Sequence, residues 1–256
     1  MSYGMLIDTT RCIGCEACMD ACHEVHNQPD TENYELSANN FTVVKTKAVA
    51  DDEIYFRQMC MHCENPSCAS VCPVGALEKT KEGPVTYDPS KCMGCRYCMF
   101  ACPFDVPKYQ WDSRQPLVQK CDMCYDRIKE GKLPACAEAC EEGATVFGER
   151  DELIGIARRR MQNDPDSYHP YIYGVTEAGG TSVLILAAFP LDQIGLKSKN
   201  FQQAFPKLTW EVMKEVPNVV SFSGVFMYGL WWIINRRMTL QKIQVEENQA
   251  VAEEEA

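Results

Sequence analysis

The sequence has no surplus of positive charge to offer a polyanion. Its 256 residues hold 25 Lys and Arg against 36 Asp and Glu, a formal net charge of −11. Nucleic-acid binding needs a basic patch or stripe, so that class is excluded. Histidine is scarce, with only His23, His26, His62 and His169. Neither "CMHC" nor "MDACH" is the C-x-x-C-H of covalent haem attachment. "GVTEAGG" is not a G-x-G-x-x-G opening a helix, so no dinucleotide site is indicated. The first residues, "MSYGMLIDTTRC", lack a basic region, an apolar run and a twin-arginine pair. No secretory signal is therefore expected from the chain itself. No cysteine follows Cys140, and no Ser/His/Asp or Cys/His nucleophile suggests itself.

What the chain has is sixteen cysteines, all between residues 12 and 140. They fall into four groups. Cys12, Cys15, Cys18 and Cys22 are spaced C-x2-C-x2-C-x3-C. Cys60, Cys63, Cys68 and Cys72 are spaced C-x2-C-x4-C-x3-C and followed by Pro73. Cys92, Cys95, Cys98 and Cys102 repeat the first spacing and are followed by Pro103. Cys121, Cys124, Cys136 and Cys140 hold an eleven-residue loop between their pairs. The first and third spacings are the bacterial ferredoxin run, whose fourth Cys ligates the other cluster of a two-cluster module. Soft thiolates suit iron–sulfur centres. Zinc explains pairs of cysteines but not repeated triplets with a trailing fourth. Disulfides impose no fixed spacing.

Internal repeats relate the groups. "LIDTTRCIGC" precedes the first and "VTYDPSKCMGC" the third, each a short strand, an Asp (Asp8, Asp88), a turn and the first ligands. "CPVGALEK" closes the second and "CEEGATVF" the fourth. Groups two and three, consecutive in sequence, make one ordinary module. Groups one and four flank it and make a second, split module. Crossed ligation then predicts four sites. Cys12, Cys15, Cys18 and Cys140 hold one cluster, and Cys121, Cys124, Cys136 and Cys22 the next. Cys60, Cys63, Cys68 and Cys102 hold the third, and Cys92, Cys95, Cys98 and Cys72 the fourth. No ligand position carries a substitute, so four [4Fe–4S] clusters are expected rather than a [3Fe–4S] centre. His23 and Glu141 stand where the other module has Pro73 and Pro103, a departure in turn chemistry only.

The fold class expected is α+β, with two interleaved ferredoxin-like modules. Module A is 1–30 plus 108–150, and module B is 60–107. "FTVVKTKAVA" and "EIYFRQ" read as two strands of a hairpin inserted at 31–59. A C-terminal extension, 151–215, is expected to pack on partner subunits. "ARRRM" within it, on a helix starting near Glu152, reads as a solvated face. His23 and His62 read as surface packing beside the ligands. Residues 216–235, "VPNVVSFSGVFMYGLWWIIN", carry no charge over a length that can span a bilayer. Trp231 and Trp232 lie near one end, and Arg236, Arg237 and Lys242 follow. By the positive-inside rule that end faces the cytoplasm and the cysteine-rich part the periplasm. A buried or interface helix is the competing reading, given Pro217, Asn218, Ser221 and Ser223. Residues 236–256 form an acidic tail, whose end "VEENQAVAEEEA" is expected to be disordered.

The layout resembles the four-cluster iron–sulfur subunits of membrane-bound oxidoreductases. These include the beta subunits of formate dehydrogenase-N, the electron-transfer subunits of quinone-linked periplasmic hydrogenases, and relatives in dimethyl sulfoxide and polysulfide reductases. "LIDTTRCIGCEACMDAC", "CMHCENPSCASVCPVGAL", "CMGCRYCMFACPFDVPKY", "KCDMCYDRIKEGKLPACAEAC" and "YGVTEAGGTSVLIL" carry the resemblance, over residues 5 to about 195. It implies a non-catalytic wire between a catalytic subunit, of Ni–Fe hydrogenase or Mo/W-pterin type, and an integral quinone-reactive membrane subunit. It also implies a place at the inner membrane, facing the periplasm, reached by co-export with a signal-bearing partner. Hydrogenase-type relatives often carry their own signal, and this chain departs from them there. Two other readings stay open. One is the iron–sulfur subunit of a cytochrome c-linked menaquinone reductase or alternative complex III type. The other, from a different class, is a zinc-rich scaffold.

Overall fold

The computed structural model describes residues 2–29, 34–49, 52–196 and 202–254. The chain opens with β1 (Tyr3–Asp8), the first cysteine loop and α1 (Ala17–His26). Then come β2 (Thr42–Val49), β3 (Asp52–Met59), α2 (Ser67–Ser70), β4 (Leu77–Lys79) and β5 (Val85–Tyr87). After the third loop follow α3 (Tyr97–Ala101), β6 (Lys108–Tyr109), β7 (Val118–Gln119), α4 (Tyr125–Lys129) and α5 (Ala135–Glu138). The body closes with β8 (Thr145–Glu149), α6 (Arg150–Asn163) and β9 (Val183–Leu186). It runs to Pro206, and residues 207–256 form a second unit.

β1 is the central strand of a three-stranded sheet. It pairs antiparallel with β8, Met5 opposite Phe147, and parallel with β9, Leu6 opposite Leu184. The strand before the first cysteine group thus pairs with the strand after the fourth. In the same way β5, before the third group, pairs antiparallel with β4, after the second, through Leu77 and Tyr87. The short helices follow the same plan: α1 packs on α5, and α2 on α3. Successive side chains on a strand point to opposite faces, and β1 is buried on both. Met5 and Ile7 enter the larger core with Met19, Val43, Met59 and Val183. Leu6 faces the other way, into a layer with Leu153, Ala157, Leu184 and Leu186 under α6. Each such fully buried aliphatic side chain contributes about 1.5–3 kcal/mol. A third cluster, Leu77, Val85 and Val118 with Cys68 and Cys98, underlies the middle two cysteine groups.

β2 and β3 form an antiparallel hairpin, Thr42 opposite Met59 at its base. Residues 50–51 between its strands, and residues 30–33 before it, lie outside the described residues. Val43, Val44, Arg57 and Met59 at the base are buried. The hairpin is thus rooted in the core beside α1, where the Val44 N–H donates to Met19 Sδ at 3.2 Å.

Residues 151–196, expected to pack on partner subunits, also pack within the chain: β9 is a strand of the sheet, and α6 covers it. The "ARRRM" face is not wholly solvated. Arg158 and Arg159 are exposed, but Arg160 turns inward and pairs with the buried Asp8. Helical periodicity places Arg160 with Leu153 and Ala157, on the sheet side.

The second unit follows α7 (Phe205–Met213) with α8 (Val216–Glu254). This segment holds a helix long and apolar enough to cross a membrane, over Phe205–Val245. Its apolar window is not buried within the chain, so it is not a core helix here. Phe222, Val225, Phe226 and Ile233 stand exposed. The tail differs from the disorder expected of it. α8 continues through Glu254, because Gln, Glu and Ala favour helix and lengthening an existing helix adds one hydrogen bond per residue fixed. Residues 255–256 lie outside the described residues.

Candidate metal centres

Each cysteine loop is wound by residues in the left-handed region. Gly14 and Glu16 in "CIGCEAC" have φ of 72° and 62°, and Gly94 and Arg96 in "CMGCRYC" have φ of 71° and 63°. The two loops share one backbone path. His62 (46°) does the same in the second group, and Met123 (63°) and Cys124 (51°) in the fourth. Such residues cost about 1–2 kcal/mol each away from glycine, and here they curl successive thiols toward a common centre. The turns before the first and third loops are each fixed by an Asp. Asp8 Oδ1 accepts from the Thr10 N–H (3.1 Å) and hydroxyl (2.6 Å). Asp88 Oδ1 accepts from the Ser90 N–H (3.0 Å) and hydroxyl (2.6 Å).

The thiols gather across the groups. Cys12, Cys15 and Cys18 line a cavity of about 280 Å³ together with Cys140, walled by Ile7, Ala17 and Val44. Cys92, Cys95 and Cys98 line a second, tighter one with Cys72, against Leu77 and Val118. Cys22 lies within electrostatic reach of Cys136 and Cys124, and Cys121 of Cys22 and Cys136. Cys63 and Cys68 both feel Cys60 and Cys102. Electrostatic reach also runs between groups of thiols: Cys18 with Cys136, Cys121 with Cys60, and Cys68 with Cys98.

All sixteen cysteines are free. Burial, then the charges of neighbouring thiols, pushes Cys68 up to about 12. Burial likewise lifts Cys98, Cys102 and Cys124 to about 11, and raises Cys22 and Cys121 further. Cys72 goes the other way. Burial raises it, but backbone N–H groups of Leu77, Val74, Ala76 and Gly75 together outweigh that. Thiols crowded and buried in this way become thiolates only when a positive centre takes their protons' place. The cysteines therefore fit iron–sulfur clusters: soft sulfur donors gathered against apolar walls. Backbone N–H groups already point at sulfur, from Thr145 to Cys140 (3.3 Å), Ala76 to Cys72 (3.2 Å) and Met123 to Cys121 (3.3 Å).

Two families described as "4Fe-4S dicluster domain" match, one over residues 11–76 and one over 52–150. The chain is 36% identical to the hydrogenase-2 operon protein HybA of Escherichia coli O157:H7, covering 80% of this chain and 79% of that one. It is 39% identical to the B subunit of anaerobic dimethyl sulfoxide reductase of Escherichia coli K12, over 59% of this chain and 75% of the relative. With the nitrate-inducible formate dehydrogenase iron-sulfur subunit of the same strain it shares 33%, over 70% and 66%. The chain belongs to the ferredoxin-like 4Fe–4S electron-transfer family. Members of this family are iron–sulfur proteins of electron transport, and that is the class of this chain.

Residues outside the cysteine pattern complete the sites. His62, expected at the surface, is fully buried. Its Nδ1 accepts from the Val85 N–H at 2.9 Å, because the CMHC loop tucks under β5. His23 is buried too, its Nε2 donating to Asn40 Oδ1 at 2.5 Å. His26 lies 3.9 Å from Cys124 Sγ and 3.5 Å from the Asp122 carboxylate. Three cations sit among the thiols: Arg57, Lys79 and Lys120. Lys120 is buried, donating to the carbonyls of Val85 and, at 2.9 Å, Cys121. Lys79 bridges the His62 carbonyl (3.0 Å), Glu64 (3.3 Å) and Ser182 (2.8 Å). Motif spacing marks ligands and says nothing of such charges, even where Lys120 stands next to Cys121.

Proposed function

We propose that this chain is the electron-transfer subunit of a membrane-bound respiratory oxidoreductase, a wire of four [4Fe–4S] clusters. Cys12, Cys15, Cys18 and Cys140 hold the first cluster, and Cys22, Cys121, Cys124 and Cys136 the second. Cys60, Cys63, Cys68 and Cys102 hold the third, and Cys72, Cys92, Cys95 and Cys98 the fourth. When bound, such clusters supply one-electron redox chemistry. The protein supplies the thiolates, excludes water with apolar walls and fixes the order of the sites. What supports the reading most is the gathering of thiols from different groups, Cys140 with Cys12, Cys15 and Cys18 in one cavity and Cys72 with Cys92, Cys95 and Cys98 in another.

On this reading groups one and four form a split module closed by the β1–β8 pair, and groups two and three a second module closed by β4–β5. The apolar C-terminal helix crosses the membrane, with Arg236 and Arg237 on the cytoplasmic side and the cysteine-rich body on the periplasmic side. Its partners are a catalytic subunit of Ni–Fe hydrogenase or Mo/W-pterin type, which carries the export signal, and a quinone-reactive membrane subunit. The names of the relatives, from hydrogenase, dimethyl sulfoxide reductase and formate dehydrogenase systems, support a partner of this kind.

Metal analysis of the anaerobically purified chain tests the wire. Four sites of four irons give roughly sixteen Fe per chain. Abundant zinc with little iron would sink it. Co-purifying subunits test the partners: a multihaem cytochrome in place of a nickel or pterin subunit would favour the cytochrome c-linked alternative.

A further inference from the structure

Arg57 is a cation where a cation is expensive. It lies on β3, at the base of the inserted hairpin, and is 5% exposed. A guanidinium stays charged in any protein, and an isolated buried charge is strongly disfavoured. Among the described residues Arg57 forms no ion pair with a carboxylate. Two hydroxyls hold its fork: Nε donates to Thr42 Oγ1 at 2.7 Å and Nη1 to Thr145 Oγ1 at 3.2 Å. The negative charges it meets are those of cysteines. Arg57 lines the cavity of Cys12, Cys15, Cys18 and Cys140, and Cys136, Cys18 and Cys121 lie within its electrostatic reach. Cys12 and Cys22 feel it in return. The five cysteines within its reach divide between two of the proposed clusters. Cys12 and Cys18 belong to the first, and Cys22, Cys121 and Cys136 to the second. The guanidinium therefore sits where the first and second proposed sites adjoin, on the wall of the first.

We infer that Arg57 is a redox-positioning residue: a fixed positive charge, shared by the first and second cluster sites, that raises the reduction potential of both. The inference rests on the cluster assignment above. Each site gathers four thiolates, and a one-electron reduction, with the electron delivered from the adjoining site, adds one more negative charge without a proton. A positive group held at short range in a dry interior favours the reduced form. Because one charge serves two sites, it shifts them together and keeps the step between them nearly level. The hairpin is thereby more than an insertion between cysteine groups. It delivers a counter-charge to this junction from outside the ferredoxin-like repeats.

The test is EPR-monitored redox titration of the full chain, purified with its subunits, beside Arg57→Gln and Arg57→Lys, with iron counted in each. The expected result is that Arg57→Gln keeps its iron and that two of four potentials fall at least tenfold in reduction equilibrium, 59 mV for one electron. The other two stay, and Arg57→Lys, which retains the charge, stays nearer the parent. Four unchanged potentials in an iron-replete Arg57→Gln overturn the inference. If Arg57→Gln loses iron, Arg57→Lys decides: two potentials near the parent's support it, and a fall of tenfold or more overturns it. Loss of iron from both variants overturns it in favour of a purely structural role for the fork to Thr42 and Thr145. The parent's own metal content reads the cluster assignment separately, since zinc in place of iron there removes both ideas at once.

Discussion

The Arg160 guanidinium donates to the Asp8 carboxylate at 2.6 Å, tying the turn before the first cysteine loop to a helix 152 residues further along the chain. Asp8 is fully buried and also accepts from the Tyr168 hydroxyl at 2.9 Å. Asp88, its counterpart in the repeat, makes the same turn contacts but stands exposed, with Lys91 3.3 Å away as its charged neighbour. The repeat thus keeps the turn and differs in what braces it. Breaking a buried pair from one side costs about 3–5 kcal/mol, because the other charge is stranded. Asp8→Asn should therefore lower the thermal midpoint for bleaching of the cluster absorbance well below that of Asp88→Asn. Equal shifts in the two variants would refute the brace.

Gly14 and Gly94 offer a second matched pair. Their φ values differ by a degree, so an Ala costs about 1–2 kcal/mol of left-handed strain at either. Their surroundings differ. A Cβ on Gly14 would overlap the Tyr55 ring of the hairpin, whereas one on Gly94 meets only the Tyr109 hydroxyl at 3.1 Å. Overpacking adds about 1–3 kcal/mol. Gly14→Ala should lose more iron than Gly94→Ala, and only the former should be rescued by Tyr55→Ala. Rescue of neither would mean that the hairpin does not press on the first loop.

Crossed ligation predicts that Cys22→Ser disturbs the cluster of Cys121, Cys124 and Cys136. The EPR signal assigned through a Cys124→Ser variant should change in Cys22→Ser, and that assigned through Cys15→Ser should not. If Cys22→Ser altered only the Cys15 signal, ligation would run within the first group.

Much of the fold is legible in the chain because the information is local. The alternation in "FTVVKTKAVA" and "EIYFRQ" reads as two strands, and the structure pairs them. The Asp8 and Asp88 turns follow from an Asp two residues before a Thr or Ser. Period two even puts Arg57 on the face of Met59, which is buried, so an inward charge is within reach of sequence reasoning. What escapes is long-range. Arg160 reads as one of three solvated arginines until β1 is placed beneath α6. Nothing in "VLIL" names β1, far upstream, as the strand that β9 joins in parallel. His62 reads as surface because nothing in "CMHC" says that Val85 will donate to it. The tail reads as disordered when its acidic composition is weighed without the helix it extends.

His62 also sets a pH dependence. Its pKa lies well below the ordinary value near 6.5, first because of burial, then because of Lys120 and Lys79. The folded chain therefore keeps it neutral while the unfolded chain takes up a proton below about 6.5. Stability falls as pH drops through that value, by up to about 1.4 kcal/mol per unit from this one group. His62→Gln, which does not titrate, should show a shallower loss between pH 7 and 5.5 in denaturant titrations. Parallel curves for parent and variant would mean that the site admits a proton when folded.

The C-terminal helix carries the last expectation. Every cysteine, and among the described residues every buried core residue, lies at or before Ala204, while the apolar window of Phe205–Val245 is not buried within the chain. Transfer of such surface out of water is favourable by about 25 cal/mol per Å², and a membrane core is the medium a helix of this length and composition suits. Deleting residues 216–256 should leave the iron content unchanged and move the chain to the soluble fraction. Partner subunits could hold the truncated chain at the membrane, so the fractions are compared after an alkaline carbonate wash, which strips peripheral contacts. The full chain should stay in the pellet and the truncated chain should leave it. Retention of both after the wash would show that the anchor lies elsewhere. Release of both would show that the helix packs against protein rather than lipid.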